Sequence, residues 1–387
     1  MPGVTRSGRL IALIMLVTLL VVGCGKASPS TSASTSDGPS SSSCGLALCN
    51  FTTPTALSGA NGGWVAATTN LAGLPSECGN MSLLSADPLQ DEVVAGVAQQ
   101  GLWESSDGAA NWTRLGTGAG SAVITNRPSS ITYDPADPNT FWESGTYNSG
   151  GAYETTDGGA TFKQLGDLVH SDFVSVDLSD PARKTLLSGR HESSNLYRST
   201  DGGSTWADIS STLPPGIGNT TSPLILSSSL FLLGTSAQPG SGVFRSTDGG
   251  ATWSRVYPGG ISGSPLIAKS DGAIYWLLAH GNGLIKSTDQ GATWQTVIGP
   301  GTISITAANL IELPNGWLAT LGANVIVSAD HGVSWEAVGP TLPYQPSGII
   351  YAPFRKAFYI WLFDCNFTGN TSVKADAIMR WNFSDPA

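Results

Sequence analysis

The sequence predicts an all-β fold, a single seven-bladed β-propeller. The first observation is an eight-residue motif that occurs six times between residues 105 and 335. The second is its spacing: the aspartates of successive copies are 50, 44, 47, 41 and 41 residues apart, the length of one four-stranded blade. The third is composition, because only 12% of the 387 residues are charged and 48 are glycines, as in a protein with many tight turns.

The first element is an export signal, residues 1–23. Arg6 and Arg9 precede an apolar run from Leu10 to Val22, which is followed by Gly23 and Cys24. A basic stretch, an apolar stretch and a small-residue cleavage site are the parts of a secretory signal. The apolar run is also too short to span about 30 Å of hydrocarbon as a helix. We therefore expect the chain to be exported.

The segment ending at Cys24 resembles a bacterial lipobox. The resemblance implies that Cys24 is lipidated and anchors the protein to the outer face of the bacterial cell membrane; the alternative is an ordinary secreted protein that is cut nearby. Residues 24–57 are expected to be a flexible Ser/Thr-rich tether, because such residues bury too little apolar surface to offset the entropy of ordering. Residues 58–387 are then the propeller.

Four further cysteines predict two disulfides in an exported protein, with three possible pairings. We expect Cys44–Cys49 and Cys78–Cys365. Cys78 lies in the loop entering the first blade and Cys365 ends the second strand of the last, so the two can approach each other on one face. The sequence has no CxxC and no clustered Cys/His set, so we expect neither a metal nor another cofactor.

The repeated motif, which we call the box, has the pattern S/T-x-D-x-G-x-T-W. Its Ser or Thr and its Asp can hydrogen-bond the backbone of their own turn, its Gly can adopt positive φ, and its aromatic residue begins the next strand. We expect each box to hold a hairpin together. A structural role is therefore predicted for six aspartates: Asp107, Asp157, Asp201, Asp248, Asp289 and Asp330.

The seventh unit has no box. Three strands are predicted there, at Gly348–Ala352, Ala357–Phe363 and Ala377–Asn382. The N-terminal segment Gly63–Asn70 begins like the fourth strand of the other units, with Trp64 after two glycines. We expect it to complete the seventh sheet and close the ring, which removes exposed strand edges.

The box resembles the Asp-box, or BNR, repeat of sialidases, xyloglucanases, sortilin-type receptors and photosystem II stability factors. The resemblance covers about residues 58–384 and implies a propeller, but Asp-box families have unrelated functions. Sialidases bind their substrate carboxylate with three arginines, whereas only Arg127 and Arg190 lie in the corresponding loops here. Sialidase activity is therefore not expected.

Functional residues are expected on the face away from the boxes, which we call the box-opposite face. Loops joining second to third strands, and each fourth strand to the next blade, emerge there. This rule selects a polar, partly acidic set: Tyr147, Asn148, His170, Asp172, His191, Glu192, His280 and Asp364. The set predicts binding of a glycan or peptide; the alternative is solvated loop residues. Asp172 and Glu192 are the candidate catalytic acid and base, provided that their carboxyls lie about 5–10 Å apart.

The sequence thus predicts a monomeric, lipid-anchored, extracytoplasmic propeller that binds a saccharide or protein partner. A glycoside hydrolase is the alternative, and an assembly factor for a membrane complex is a third possibility. Nucleic acid is not expected as a partner, because the net charge is −10 and no basic cluster longer than two residues follows residue 10.

Overall fold

The computed structural model describes residues 62–383 except 78, 80, 149, 221, 237–239, 300–308 and 364–370. This part of the chain forms seven antiparallel sheets of four strands each, which are the blades of a β-propeller. It contains no α-helix, and thus no helix able to cross a membrane. Several predicted features lie outside the described residues: the signal 1–23, the tether 24–57, Cys24, Cys44, Cys49, Cys78, Asp364 and Cys365.

Each of the first six blades consists of four consecutive strands. The strands of blades 1 to 3 are β2 (Leu83–Ala86), β3 (Val93–Val97), β4 (Gly101–Ser105), β5 (Thr113–Arg114), β6 (Arg127–Tyr133), β7 (Phe141–Thr146), β8 (Ala152–Thr155), β9 (Lys163–Gln164), β10 (Ser171–Val176), β11 (Leu186–Arg190), β12 (Leu196–Ser199) and β13 (Ala207–Asp208). Those of blades 4 to 6 are β14 (Ser222–Ile225), β15 (Phe231–Thr235), β16 (Gly242–Ser246), β17 (Ser254–Tyr257), β18 (Ile261–Ile267), β19 (Ile274–Leu278), β20 (Leu284–Ser287), β21 (Gln295–Ile298), β22 (Ile311–Glu312), β23 (Leu318–Leu321), β24 (Val325–Ser328) and β25 (Glu336–Val338).

Blade 7 combines both ends of the described chain. Its strands, from the inside outwards, are β26 (Gly348–Ala352), β27 (Ala357–Trp361), β28 (Ile378–Asn382) and β1 (Val65–Ala66). In the outermost pair, Val65 lies opposite Arg380. Strand β1 is shorter than the segment expected from the sequence, because Thr69 has a φ of 44° and begins a 3-10 turn.

The core lies between neighbouring blades. The second strand of a blade is largely buried on both sides, and in β19 of blade 5 and β27 of blade 7 it is apolar along its whole length. Between blades 3 and 4, for example, Leu187 packs in one cluster with Phe231 and the box tryptophan Trp253. The aromatic residue that ends a box therefore fills the space between two sheets, where its ring buries a large apolar area.

The box of blade 4 shows how the motif holds its turn. Ser246 Oγ donates to Asp248 Oδ1 (2.8 Å) and accepts from the N–H of Gly250 (2.8 Å). Thr252 donates its N–H to Asp248 Oδ1 (2.9 Å) and its hydroxyl to Oδ2 (2.6 Å). The hydrogen bonds from Thr252 and Ser246 lower the pKa of Asp248 to about 2. The same Ser/Thr-to-carboxylate bond occurs at Asp107, Asp157, Asp201, Asp289 and Asp330.

We expect Ser246→Ala to lower the free energy of unfolding by about 1–3 kcal/mol, because the N–H of Gly250 loses its partner inside the protein. Ser246 is buried, whereas Ser228 of the same blade is exposed, so Ser228→Ala is the matched control. Thermal or urea unfolding measures both. An unchanged midpoint for Ser246→Ala would contradict the structural role of the box.

Candidate functional site

Strand direction assigns every turn to one of two faces. The four strands of a blade alternate in direction, so first-to-second and third-to-fourth turns share one face. The boxes are third-to-fourth turns, and we call this side the box face. The turns after β7 and β11, and the loop before β10, lie on the box-opposite face. Blades 2 and 3 therefore present most of the predicted site residues on the same side.

Three of these side chains form one hydrogen-bonded chain. Asp172 lies at the start of β10, whereas His191 and Tyr147 directly follow β11 and β7. Asp172 Oδ1 is 2.6 Å from His191 Nδ1, and His191 Nε2 is 2.8 Å from Tyr147 Oη. A carboxylate on one imidazole nitrogen fixes the orientation of the ring and the role of the other nitrogen. We call this chain the Asp-His-Tyr network.

The Asp-His-Tyr network changes the acidity of its members. The hydrogen bond and the charge of Asp172 raise the pKa of His191, and Glu192, whose Oε1 lies 3.7 Å from His191 Nε2, adds to this effect. Burial and the charge of Glu192 raise the pKa of the Tyr147 hydroxyl. His191 therefore stays protonated to a higher pH than a free histidine, and as a cation it donates to both neighbours.

Tyr147 also belongs to a second group of contacts, which is centred on Arg127. The Arg127 guanidinium lies 4.5 Å from the centroid of the Tyr147 ring and 5.3 Å from that of Phe363. Arg127 also forms an ion pair with Glu77 (3.4 Å). Glu77 in turn accepts a hydrogen bond from the side chain of Asn148 (2.7 Å). The site thus joins blade 2 to blade 7 and to the loop that enters blade 1.

The backbone of the site is held in an uncommon conformation. Tyr147, Asn148, His170 and Glu192 have φ values of 57°, 59°, 54° and 51°. For residues with a Cβ this left-handed region costs about 1–2 kcal/mol each. His170 offsets part of this cost, because its Nδ1 accepts the N–H of Tyr147 (3.1 Å) and its carbonyl accepts that of His191 (2.6 Å). Strain of this kind is typical of functional sites.

A cleft of about 280 Å³ lies beside the network, on the inner strands of blades 2 to 5. Asp172, His191 and Glu192 line one side, together with the ring of Phe173. Hydroxyl groups and an amide line the rest: Ser129, Ser130, Asn219, Ser222 and Ser264. The cleft offers hydrogen-bond donors and acceptors next to one aromatic ring, which are the groups that orient a small polar ligand.

The remaining candidates are placed elsewhere. His280 lies in the turn after β19 of blade 5 with a φ of 61°, and among the described residues it does not join the Asp-His-Tyr network. Asp364 falls outside the described residues. Across the described part of the chain, no group of three or more His, Cys, Asp or Glu side chains is arranged to hold a metal ion.

Known proteins share both the repeat and the fold of this chain. The family model of the BNR/Asp-box repeat matches residues 244–255, which include the box of blade 4. The chain is an Asp-box propeller. A comparison of its sequence with curated proteins finds no match.

Solved structures similar to this Asp-box propeller have different functions. The GH74 enzyme of Niastella koreensis has 16% identity and a TM-score of 0.56, over 81% of this chain and 44% of that one. YCF48 bound to D1 peptide has 16% identity and a TM-score of 0.51, over 84% and 98%. The extracellular domain of the putative hybrid two component system BT4673 from B. thetaiotaomicron has 11% identity and a TM-score of 0.56, over 82% and 40%. The Asp-box propeller thus spans less than half of the GH74 enzyme, and these similarities establish the fold alone.

Proposed function

We propose that this Asp-box propeller is an exported binding module that holds a saccharide in the cleft on its box-opposite face. The observation that carries the proposal is the Asp-His-Tyr network at the edge of that cleft. Three polar side chains are positioned before any ligand arrives, by hydrogen bonds of 2.6 and 2.8 Å and by a strained backbone. A site that is already ordered does not have to order its side chains on binding, which favours affinity.

The groups in the cleft are suited to a sugar. Asp172 lines the cleft, and its Oδ2 has no hydrogen-bond partner among the described residues, so a rotation of the carboxylate toward the cleft would let this oxygen accept from a ligand hydroxyl. Glu192 extends into solvent, with 73% of its side chain exposed, and supplies a second acceptor. Phe173 supplies an apolar ring on which a sugar face can pack.

Glycoside hydrolysis is the second candidate function, and one observation favours it. Asp172 contacts Nδ1 of His191, and Glu192 lies near Nε2 of the same ring. The two carboxylates therefore lie on either side of one imidazole ring, and the ring together with these two contacts separates them by less than about 10 Å, which is compatible with the range of about 5–10 Å that glycosidase carboxyl pairs span. A protein ligand on the same face, as expected of an assembly factor, is the third.

The proposal also includes export of the propeller and its attachment to a membrane. The signal at residues 1–23 and the lipobox-like segment support anchoring through Cys24, and the tether 24–57 would hold the propeller away from the membrane. The similarity to an extracellular domain is consistent with this location. The pairs Cys44–Cys49 and Cys78–Cys365 remain predictions for the same oxidising compartment.

A glycan array, followed by titration of the best ligand, tests the proposed function. We expect Asp172→Asn and Tyr147→Phe each to weaken binding at least tenfold, which corresponds to about 1.4 kcal/mol or more. Asp137→Asn, in the turn between β6 and β7 on the box face, is the matched control and is expected to bind like the parent.

The outcomes separate the candidates. Cleavage of chromogenic glycosides that is lost in both Asp172→Asn and Glu192→Gln would favour the hydrolase. Glycan binding that is unchanged in Asp172→Asn, or no glycan binding at all, would contradict the saccharide proposal.

A further inference from the structure

A second cavity, of about 730 Å³, opens on the box face at the end of the central channel. It forms near the ends of the first strands of blades 1, 5, 6 and 7, where Ala86, Ile267, Glu312 and Tyr351 line it. It shares no residue with the cleft on the box-opposite face. Its volume is in the range of protein ligand sites, about 300–1,000 Å³.

The wall of this cavity is mainly aliphatic. Its apolar residues include Leu266, Ile267, Leu310, Ile311, Leu313 and Pro314. Ile267 is 46% exposed although it ends a strand. Two more exposed apolar side chains, Leu89 (40%) and Phe354 (55%), directly follow lining prolines. Single exposed hydrophobic residues are ordinary, but a group around one opening marks an interaction site.

The polar residues of the wall balance each other. Glu312 accepts hydrogen bonds from the backbone N–H groups of Lys269 (2.6 Å) and Ser270 (2.7 Å), which fixes its carboxylate against blade 5. Lys269 itself also lines the cavity. With one cation and one anion, the lining carries no net charge, so its aliphatic surface determines which group can enter.

The surface around the opening is acidic. Hydrogen bonds within the boxes lower the pKa of Asp107 and Asp289 to about 2, so these side chains are negative at neutral pH, and every blade from 1 to 6 has such an aspartate on this face. The basic residues of this face are engaged within the protein: Arg355 pairs with Asp91 (2.7 Å) and Lys286 with Asp271 (2.8 Å), and Arg380 and Arg245 donate to the backbone carbonyls of Gly108 (3.2 Å) and Gln290 (3.1 Å) in the boxes of blades 1 and 5. A ligand that covers this face therefore meets a negative potential.

We infer that the box-face cavity binds a peptide segment whose apolar side chains enter the channel and whose flanking Lys or Arg residues face the ring of box aspartates. The neutral aliphatic wall accommodates the apolar part, because burying Ile267 and its neighbours removes apolar surface from water. The acidic surround favours a basic flank and disfavours an acidic one. This site is independent of the proposed saccharide cleft and lies at the other end of the channel.

The test uses the full-length protein and a labelled synthetic peptide in which Leu-Phe-Leu is flanked by two lysines on each side. Fluorescence anisotropy is expected to show saturable binding that weakens when salt is raised from 50 to 500 mM. Ile267→Asp and Phe354→Asp should each reduce the affinity at least tenfold without changing the melting temperature, because both side chains are about half exposed. Val123→Asp, at a 66% exposed position on the box-opposite face, is the matched control and should bind normally.

Two control peptides make the result decisive. Replacing the lysines by glutamates, or Leu-Phe-Leu by Gly-Ser-Gly, should abolish binding. The inference is overturned if the glutamate peptide binds equally well, if Ile267→Asp binds normally, or if the lysine peptide does not bind. Concentration-dependent dimers that Ile267→Asp dissociates, or vesicle binding without peptide binding, would instead assign the cavity to a second copy of the chain or to lipid.

Discussion

Replacing Trp381 with alanine is expected to lower the free energy of unfolding by about 3–5 kcal/mol. Trp381 of β28 is fully buried, and its ring lies 5.7 Å from Phe358, 5.2 Å from Phe383 and 5.8 Å from Trp64. Trp64 directly precedes β1, so the change removes contacts that attach the N-terminal strand as well as contacts inside blade 7. Chemical denaturation measures the loss, and limited proteolysis near residue 64 measures the release of β1.

Trp381→Phe is the matched control. The indole N–H of Trp381 is buried without a hydrogen-bond partner in the described part of the chain. Phenylalanine keeps most of the ring contacts and removes this unsatisfied donor, so its cost should be about 1 kcal/mol or less. A loss as large as that of Trp381→Ala would show that the indole nitrogen, and not ring packing, stabilises the closure.

Glu143→Gln is expected to remove a large pH dependence of stability. Glu143 of β7 is fully buried, and burial raises its pKa from 4.5 to about 8, against the opposing hydrogen bond from Asn126 (3.3 Å). Between pH 4.5 and about pH 8, Glu143 is protonated in the folded state and ionised in the unfolded state. Stability therefore falls as pH rises through this window, by up to about 1.4 kcal/mol per pH unit.

A neutral amide at position 143 does not titrate, so the variant should exceed the parent in stability at pH 8 and approach it near pH 5. The side-chain N–H of the introduced glutamine can donate to Asn126 Oδ1, which is buried and has no partner among the described residues. Urea denaturation at both pH values measures the difference, with Asp376→Asn at an exposed position as control. Equal shifts at pH 5 and pH 8 would contradict a buried proton on Glu143.

The sequence was informative about the fold because each box specifies one hairpin. A Ser or Thr, an Asp and a Gly at fixed spacing can satisfy one turn, and their recurrence counts six blades without any knowledge of long-range contacts. Strand ends were less predictable. The end of β1 depends on Thr69, whose positive φ begins a 3-10 turn, and threonine does not by itself indicate that conformation.

Part of the candidate site also followed from the sequence. The loop rule placed Tyr147, Asp172 and His191 on one face, and the structure brings them into contact. It did not indicate that Glu77 and Phe363 would meet Arg127, because they approach it only when the ring closes.

Two features of the interior were not anticipated. A glutamate is rarely found fully buried, whereas Glu143 lies in a strand whose residues are all buried. The aliphatic wall of the box-face cavity contains residues such as Ile267 and Ile311, which the sequence does not distinguish from core residues. Both features depend on the distance between neighbouring blades, and a local sequence pattern does not specify that distance.

The pairing of β1 with β28 also sets the order in which the protein can be completed during synthesis. Val65 is among the first propeller residues to emerge from a ribosome or a translocation channel, yet its partner Arg380 is among the last. Until then β1 lacks its partner strand, blade 7 cannot form and the incomplete ring has an open gap. A nascent chain therefore has to stay protected from edge-to-edge aggregation for almost its whole translation time. Contacts between residues this far apart also predict slow final folding, so a chaperone would act most usefully on the nearly finished chain.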